Sequence, residues 1–469
     1  MKRFCFFIRR FLTSARLVTV LFAACLAASA SAATITVNSL ADGESDDGQC
    51  TLREAIIAAN SNQSSGSTSG ECLAGESGSS DRIEFAPGVV GVIDIDGVLP
   101  EITESVDIIG PGAEDLTIDA GGQVADGPVL FFTASSTISS LRMVNAVSTG
   151  DGGAIRNNAP LEVRNMVFEN NRALAGGAIL GFADLIVDRT IIRGNFATQF
   201  SGGGLRFAGS EKTLVLRRSL IQDNAAIGEF STGGGVSITG IGHTSEISES
   251  TFIGNRADGE NREGGGLRDV SQTLYLTNST FFDNAATGSG GGVALTGFDQ
   301  FVANVTISGN TADSDNDGVG NGGGGYFLNG PVFRNSIIAG NEDRGGEAPD
   351  CFAFADSDGY NLIGIDAGCS GFSAINNDQV GSPGSPIDPM LGPPTLEGGP
   401  TATMALLAGS PALDAGNPGG CVDALGAPLL VDQRGAPRPA DGDGDSTAVC
   451  DVGAYELNID SIFVDRFQQ

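Results

Sequence analysis

A repeated pattern of asparagine, apolar residues and glycine occupies the middle of this 469-residue chain. Seven asparagines recur at steps of 24 to 31 residues, with apolar residues three and eight positions before each of them. A glycine pair followed by an apolar or aromatic residue also stands in every unit. The seven are Asn171, Asn195, Asn224, Asn255, Asn284, Asn310 and Asn341. A period of this length indicates a solenoid.

The units consist of strand-like pieces, because residues 161–165 and 185–187 alternate or stay apolar over short spans. No unit contains a helical run of ten or more residues, which excludes leucine-rich and ankyrin-type repeats. Short strands joined by turns predict an all-β fold, a right-handed single-stranded parallel β-helix. At roughly 25 residues per coil, residues 81–345 hold about ten coils. We expect the apolar columns to fill the interior and the asparagines to lie in left-handed turns and form a ladder.

Insertions concentrate on one edge of the predicted coil. The spacing from the column asparagine to the next glycine pair varies from 6 to 15 residues, whereas the spacing from that pair to the next strand varies only from 6 to 10. Solenoids often bind ligands through the face that carries insertions, so we take this long-loop edge as the candidate binding face. Its charged residues are Asp258, Glu260, Arg262 and Glu263.

The first 32 residues have the form of a secretory signal peptide, with a basic start, a short apolar run and a small-residue cleavage site. Removing them leaves 20 Lys+Arg against 57 Asp+Glu, a formal charge of −37. Such a charge repels nucleic acid and anionic lipid. No later apolar run reaches 18 residues, so we expect no membrane-spanning helix. The expected product is an exported monomer, extracellular or on the outer surface of a Gram-negative-type bacterium.

Six cysteines remain after the signal peptide, and an even number in an exported chain predicts disulfides. All six lie outside the repeats, and a pairing of sequence neighbours closes short loops, although 15 pairings exist in principle. We therefore expect an irregular, disulfide-bearing C-terminal region. The cysteines are Cys50, Cys72, Cys351, Cys369, Cys421 and Cys450.

The stretch QCTLREAIIAAN, residues 49–60, has two interpretations. Cys50, Arg53 and Glu54 are a possible catalytic trio, but the only histidine, His243, is far along the chain and is expected in a solvent-facing turn. Alternatively, Thr51 and Glu54 form a capping box that starts a short helix. Leu52 and Ile56 then share its apolar face. We favour the helix, as a cap that covers the open end of the solenoid.

One acidic loop has the spacing of a calcium site. Asp313, Asp315 and Asp317 alternate before Gly318, as carboxylates do in calcium loops. The twelfth position is Gly324 rather than glutamate, so an EF-hand is excluded. Residues 441–445 are a looser candidate of the same kind, and a hydrated acidic loop is the alternative for both. No cofactor is required by the sequence, and calcium is the one that it suggests.

Three resemblances cover most of the chain. FENNRALAGGAI (168–179) and FIGN (252–255) resemble the repeats of the chlamydial polymorphic outer-membrane proteins, which are surface adhesins with a β-helical passenger. CTLREAIIAAN (50–60) resembles the CSLREA domain, with Thr51 in place of serine. GYNLIG (359–364), DQRGAPRP (432–439) and CDVGAYE (450–456) are similar to the choice-of-anchor Q domain. None of these families supplies a catalytic residue set.

The predicted organisation follows from these resemblances. It comprises a signal peptide (1–32), a CSLREA-like cap (33–80), β-helix repeats (81–345), a choice-of-anchor-Q-like domain (346–456) and a tail (457–469). The chain has no long C-terminal transporter barrel, and its tail is no apolar anchor, so we expect release or non-covalent attachment to the surface.

Two function classes remain open. The leading hypothesis is adhesin-like binding of a surface glycan or protein through the long-loop edge. The alternative is a polysaccharide lyase or glycoside hydrolase of pectate-lyase-like fold. The chain has one histidine, no tryptophan and four tyrosines, and its 26 phenylalanines fall largely in core columns or the signal segment. Aromatic platforms for sugars are therefore scarce, and we predict no catalytic residue and favour binding over catalysis.

Overall fold

A computed structural model describes residues 32–229, 231–260, 262–396 and 399–458. The described chain winds into a parallel β-helix whose coils contribute their strands to four parallel sheets. This confirms the predicted all-β solenoid. The signal peptide predicted for residues 1–32 lies, apart from Ala32, outside the described residues. Among the residues that the structure describes, no helix has the length and apolarity needed to cross a membrane.

We number the sheets in the order in which the chain visits them within one coil. Sheet 1 consists of Thr34–Val37, Asp81–Phe85, Val106–Ile109, Ser136–Ser139, Leu161–Arg164, Leu185–Asp188, Thr213–Arg217, Thr244–Ser248, Thr273–Thr277, Asp299–Ala303, Val332–Arg334 and Asp356–Ser357. Sheet 2 consists of Gly91–Asp94, Leu116–Asp119, Arg142–Val144, Val167–Glu169, Ile191–Arg193, Leu220–Gln222, Thr251–Ile253, Thr280–Phe282, Thr306–Ser308, Ile337–Ile338, Leu362–Ile363 and Gln379–Val380.

Sheets 3 and 4 have shorter strands. Sheet 3 consists of Val124–Ala125, Val147–Ser148, Arg172–Ala173, Phe196–Ala197, Ala225–Ala226, Arg256–Ala257, Ala285–Ala286, Thr311–Ala312 and Glu342–Asp343. Sheet 4 consists of Leu130–Phe132, Ile155–Asn157, Ile179–Gly181, Leu205–Phe207, Val236–Ile238, Leu267–Asp269, Val293–Leu295, Gly325–Phe327, Cys351–Phe354 and Cys369–Ser370. Outside these sheets lie the helix Leu52–Ser61, a 3₁₀ turn at Ala374–Asn376 and the antiparallel pair Leu391–Thr395 and Thr403–Leu406.

The predicted apolar columns fill the interior of the solenoid. Phe168, Phe252 and Phe281, three residues before their column asparagines, are fully buried on sheet 2. Val163 and Ile247, eight residues before, are fully buried on sheet 1. Because side chains of a strand alternate between the two faces of a sheet, the apolar positions point inward and the polar ones outward.

The asparagine column forms a buried ladder, but not in the predicted backbone conformation. The Oδ1 of Asn195 accepts from both the backbone N–H and the Nδ2 of Asn171, at 2.9 and 3.0 Å, and each next asparagine repeats this pattern. The left-handed residue is the one before the column asparagine, for example Asn170 or Asp223 with φ of 56° and 52°. The expected left-handed column asparagine was therefore wrong, because these side chains serve as buried hydrogen-bonding groups rather than as the turn itself.

The strands continue on both sides of residues 81–345. Thr34–Val37 pairs in parallel with Asp81–Phe85, and Gln379–Val380 pairs with Leu362–Ile363 at the other end. Ten of the twelve described strands of sheet 1 lie between residues 81 and 345, which agrees with the expected ten coils. The predicted domain boundaries at residues 80/81 and 345/346 stay a prediction.

Residues 388–396 and 399–458, which we call the C-terminal segment, fold back along the corner between sheets 1 and 2. Left-handed asparagines at this corner donate to its backbone, as Asn278 does to the Val431 carbonyl and Asn335 to the Asp451 carbonyl, at 2.9 and 2.7 Å. A second small core lies between the segment and the last coils. It contains Ile337, Ala339, Leu362, Leu406, Ala412, Val452 and Tyr455.

Three disulfides join the cysteines that are neighbours in sequence: Cys50–Cys72, Cys351–Cys369 and Cys421–Cys450. The first fastens the helix Leu52–Ser61 to its following loop, the second lies within sheet 4, and the third crosses the C-terminal segment. The expectation of an irregular, disulfide-bearing C-terminal region is thus confirmed.

Candidate functional site

The residues of the possible N-terminal catalytic trio have structural partners. Cys50 is bonded to Cys72, and the guanidinium of Arg53 donates to Asp42 at 2.7 and 3.0 Å. Thr51 and Glu54 make the reciprocal bonds of a capping box, with the Thr51 hydroxyl accepting from the Glu54 N–H. This arrangement starts a helix whose face with Leu52 and Ile56 is buried, and it leaves no free nucleophile.

His243 is not the solvent-facing turn residue that we expected. Its ring is fully buried and lies 4.9 Å from the ring of Phe207, with Nε2 3.0 Å from the Thr239 carbonyl. The expectation was wrong because its strand begins at Thr244, and the turn before that strand folds the imidazole inward. A histidine held by backbone carbonyls and a phenylalanine in the interior cannot act as a surface base.

In each of the two acidic loops, the structure brings carboxylates close to one another. Asp313, Asp315 and Asp317 each offer an oxygen within 4.8 Å of the others. Asp313 is buried and already accepts the backbone N–H groups of Asp317 and Gly318. The second loop brings Asp441 and Asp443 to Asp414, a residue that sequence spacing did not indicate. Calcium at either loop stays a prediction.

The charged residues of the long-loop edge lie between sheets 3 and 4 but do not form one cluster. Asp258 is 3.5 Å from Arg256, whereas Glu263 is 3.1 Å from Arg268 on the outer face of sheet 4. Glu260 is exposed, and the backbone N–H of Arg262 donates to the Thr287 hydroxyl. A ligand role for these four residues stays a prediction; Asp258 pairs with an arginine of sheet 3 and Glu263 with an arginine of sheet 4.

Sequence reasoning missed a groove on the outer face of sheet 1. Tyr275 and Phe301 are register partners on adjacent strands, and their rings stack with centroids 5.6 Å apart and an interplanar angle of 13°. Both rings point outward and are partly exposed. Many phenylalanines of this chain are buried in the core, whereas these two stacked rings face outward. Together they form a flat apolar floor on the surface.

A loop of the C-terminal segment stands over this floor. Asp423 accepts the backbone N–H groups of Leu425 and Ala427 and so closes a tight turn. The Ala424 N–H donates to the Thr277 hydroxyl at 3.1 Å, which attaches the turn to the sheet. The Cys421–Cys450 disulfide holds the base of the loop. This loop, the roof of the groove, is therefore attached by a hydrogen bond to sheet 1 and by a disulfide to the rest of the C-terminal segment.

Two cavities open beneath the roof, one on each side of it. One, of about 170 Å³, is lined by Glu246, Glu249, Tyr275 and Thr277, and the other, of about 190 Å³, by Phe301, Arg334 and Asp358. Asp423 and Leu425 line both cavities. Leu425 is 61 % exposed, so its apolar side chain is accessible to a ligand in either cavity. The groove thus has an aromatic floor, an apolar roof and a rim of charged and hydroxyl groups.

The electrostatics of the rim are uneven. Burial raises the pKa of Glu249, and the nearby Arg218 and Arg217 guanidiniums oppose that rise. Glu246 is exposed on the strand beside it, and Arg334 forms an ion pair with Asp358 across the second cavity. The first cavity is therefore rich in hydrogen-bond acceptors, while the second contains both charges.

The groove could not be predicted from sequence, because its parts come from distant places in the chain. Tyr275 and Phe301 occupy outward positions of their strands, which the alternation of residues 273–277 and 299–303 does indicate. Nothing local indicates that the loop at residues 423–427 returns to cover them.

The chain matches no protein-family model and no curated protein. The CSLREA-like, adhesin-repeat-like and choice-of-anchor-Q-like segments therefore remain resemblances in sequence.

Proposed function

We propose that the protein is an exported, adhesin-like binding protein, extracellular or on the outer surface of the cell, that holds a glycan chain in the groove on sheet 1. The observation that carries this proposal is the stacked Tyr275–Phe301 floor beneath the roof of residues 423–427. Three disulfides support an oxidising, extracellular address. A solenoid also provides the long lateral surface that an extended ligand requires.

A glycan suits this groove better than a folded protein does. Each cavity is small, and the two follow one another along the sheet beneath one loop. Aromatic faces pack against the apolar faces of sugar rings, while carboxylates and hydroxyls around the rim accept or donate hydrogen bonds to sugar hydroxyls. Two successive rings can thus share the floor made by Tyr275 and Phe301.

The test is binding of purified protein to a glycan array, followed by calorimetry with the best oligosaccharide. Tyr275→Ala and Phe301→Ala should each weaken binding about tenfold, because each removes half of the floor. Phe196→Ala, at an exposed phenylalanine on sheet 3, is the control and should leave affinity unchanged. Equal affinities for all three variants would rule out the groove as the binding site.

A second candidate function is glycoside hydrolysis or lysis in the same groove. It is favoured by Glu246, Glu249 and Asp423 lining one cavity, with the pKa of Glu249 raised by burial as a general acid requires. Release of reducing or unsaturated sugars from a polysaccharide panel, lost in Glu249→Gln, would establish it. Binding without product in the wild type would leave the protein an adhesin-like binder.

A further inference from the structure

A row of side chains runs along the outer face of sheet 4, parallel to the solenoid axis. Its members are register partners on successive strands and all point away from the core. They are Phe131, Arg156, Leu180, Arg206, Ser237, Arg268, Ala294, Tyr326 and Phe352. We call this set the sheet 4 row.

Arginine occupies every second position in the middle of the sheet 4 row. Arg156, Arg206 and Arg268 are partly exposed, whereas Leu180 and Ser237 between them are fully buried. Strands in a sheet are about 4.8 Å apart, so the guanidinium-bearing strands repeat at roughly 10 Å. In a protein with a formal charge of −32 over its full sequence, this is a regular row of positive charge.

The three arginines differ in how they are compensated. Arg156 lies over the rings of Phe131 and Phe182, at 5.1 Å from each, and Arg268 is paired with Glu263. Arg206 has no ion pair or hydrogen bond among the described residues, and its Nε is buried without an acceptor. Asp151 interacts with Arg206 only at longer range, and burial lowers the pKa of Arg206.

A polar group beside Arg206 is also without a partner. Ser237, its neighbour in the row, is fully buried, and its hydroxyl has no hydrogen-bond partner within the described residues. Buried polar groups and half-desolvated cations cost free energy unless something binds them. The Ser237 hydroxyl is enclosed, so the group that can bind an anionic oxygen ligand at this surface is the partly exposed guanidinium of Arg206.

We propose that the sheet 4 row binds a linear anionic glycan whose carboxylate or sulfate groups recur on one side of the chain once per disaccharide. Guanidinium groups bind planar carboxylates and sulfates through charge-assisted, often paired hydrogen bonds. The spacing between arginine-bearing strands is close to the length of an extended disaccharide. Arg206 is the central anchor, and the glycan lies along the solenoid axis.

The two ends of the sheet 4 row offer apolar contacts to the sugar rings. At one end Tyr326 and Phe352 stack with centroids 6.0 Å apart. At the other end, Phe131 and Arg156 line a cavity of about 400 Å³ together with Leu99 and Pro128. Asp126 and Asp151 also line this cavity, so it favours a neutral stretch of the glycan rather than a charged one. This surface differs from the sheet 1 groove in both its sheet and its chemistry.

The experiment uses the exported chain and an octasaccharide in which glucuronate alternates with a neutral N-acetylhexosamine, beside its carboxyl-reduced counterpart. Calorimetry at low salt should show binding of the acidic sugar and at least about tenfold weaker binding of the reduced one. Arg206→Gln should weaken binding of the acidic sugar about tenfold with an unchanged Tm. Glu263→Gln should tighten it, because it frees Arg268 from its internal carboxylate.

The control is Arg164→Gln, which removes a more exposed arginine on the outer face of sheet 1 and should leave affinity unchanged. Tyr275→Ala in the sheet 1 groove should also have no effect, so failure of one surface leaves the other testable. The proposal is overturned if the wild type does not bind the acidic octasaccharide at millimolar concentration, or if it binds the reduced sugar equally well. It is likewise overturned if Arg206→Gln behaves like Arg164→Gln.

Discussion

A single side-chain amide recurs at the same corner of seven coils and ends on a carboxylate. The last of the series, Asn341, donates both its backbone N–H and its Nδ2 to Asp350, each at 3.0 Å. Burial raises the pKa of Asp350 to about 6, against an ordinary value of 3.8. The ladder therefore satisfies its polar groups internally in the middle and ends on the carboxylate of Asp350 where the regular repeat stops.

Asp269 is a second buried acid, and its pKa predicts a pH dependence. It lies in the interior, where Oδ1 accepts from Ser271 and Gln300 while Oδ2 has no partner. Burial raises its pKa to about 6 from 3.8. Since the folded state holds this proton more tightly, the contribution to stability is full below about pH 4 and is lost as pH rises through 6, an effect of about 3 kcal/mol.

Asp269→Asn removes this titration while it keeps an acceptor at Oδ1. Chemical denaturation at pH 4 and pH 7 should show that the wild type loses more stability across this interval than the variant does. The comparison isolates Asp269, because Asp350 and the other raised carboxyls titrate in both proteins. Equal losses would mean that Asp269 is charged in the folded protein throughout.

At the level of elements, the helix Leu52–Ser61 and the first strand cover the open end of the solenoid. Thr34–Val37 is the first strand of sheet 1, and the helix packs against it and against Asp81–Phe85. Ile56 on the inner face of the helix is buried, whereas the neighbouring Ile57 is partly exposed. The cap therefore protects apolar side chains and strand edges that would otherwise attract another chain.

Ile56→Asp should destabilise the cap and cause aggregation, because it places a charge against the first coil. Ile57→Asp is the adjacent control and should have a much smaller effect. Cys50→Ser should lower the free energy of unfolding by about 3 kcal/mol through loss of the Cys50–Cys72 loop closure. Light scattering and thermal melting measure these effects. If Cys50→Ser folds normally but loses an activity that the wild type shows, the result would instead point to a catalytic cysteine.

The repeats were predictable and the surface grooves were not, for a physical reason. A residue such as Phe252 or Val163 is buried wherever its coil lies in the stack, so local alternation suffices to place it. The partner of Tyr275 is set by register with the next coil, and its roof comes from a loop near Asp423. His243 shows the same limit, since only the fold of its turn decides between solvent and interior.

At the scale of the whole molecule, the C-terminal segment is joined to the coils through buried polar groups. Arg438 and Glu456 form a fully buried ion pair at 2.8 Å, and Arg438 also donates to the Asn278 side chain. Gln433 bonds both Thr280 and Thr251 on neighbouring coils. Gln433 and Arg438 belong to the DQRGAPRP stretch and Glu456 to the CDVGAYE stretch. Both stretches therefore contribute residues that attach the C-terminal segment to the coils.

Arg438→Met should lower the free energy of unfolding by about 3 to 5 kcal/mol, because it leaves the Glu456 carboxylate buried without its partner. Arg344→Met, at an exposed ion pair with Glu342, is the control and should change stability by less than about 1 kcal/mol. Urea denaturation measures both, and limited proteolysis should cut the C-terminal segment first in Arg438→Met. A loss no larger than that of the control would show that the segment does not depend on this pair.

The C-terminal segment also alters the order in which the molecule can form. A solenoid whose coils contact only their neighbours can assemble progressively, coil by coil, from its N-terminal end. Here the coils from Thr251 to Asn335 acquire their outer contacts only from residues synthesised after all of them. The N-terminal coils can therefore fold before the chain is complete, whereas the C-terminal half and the groove on sheet 1 become complete only after the C-terminal segment has been added.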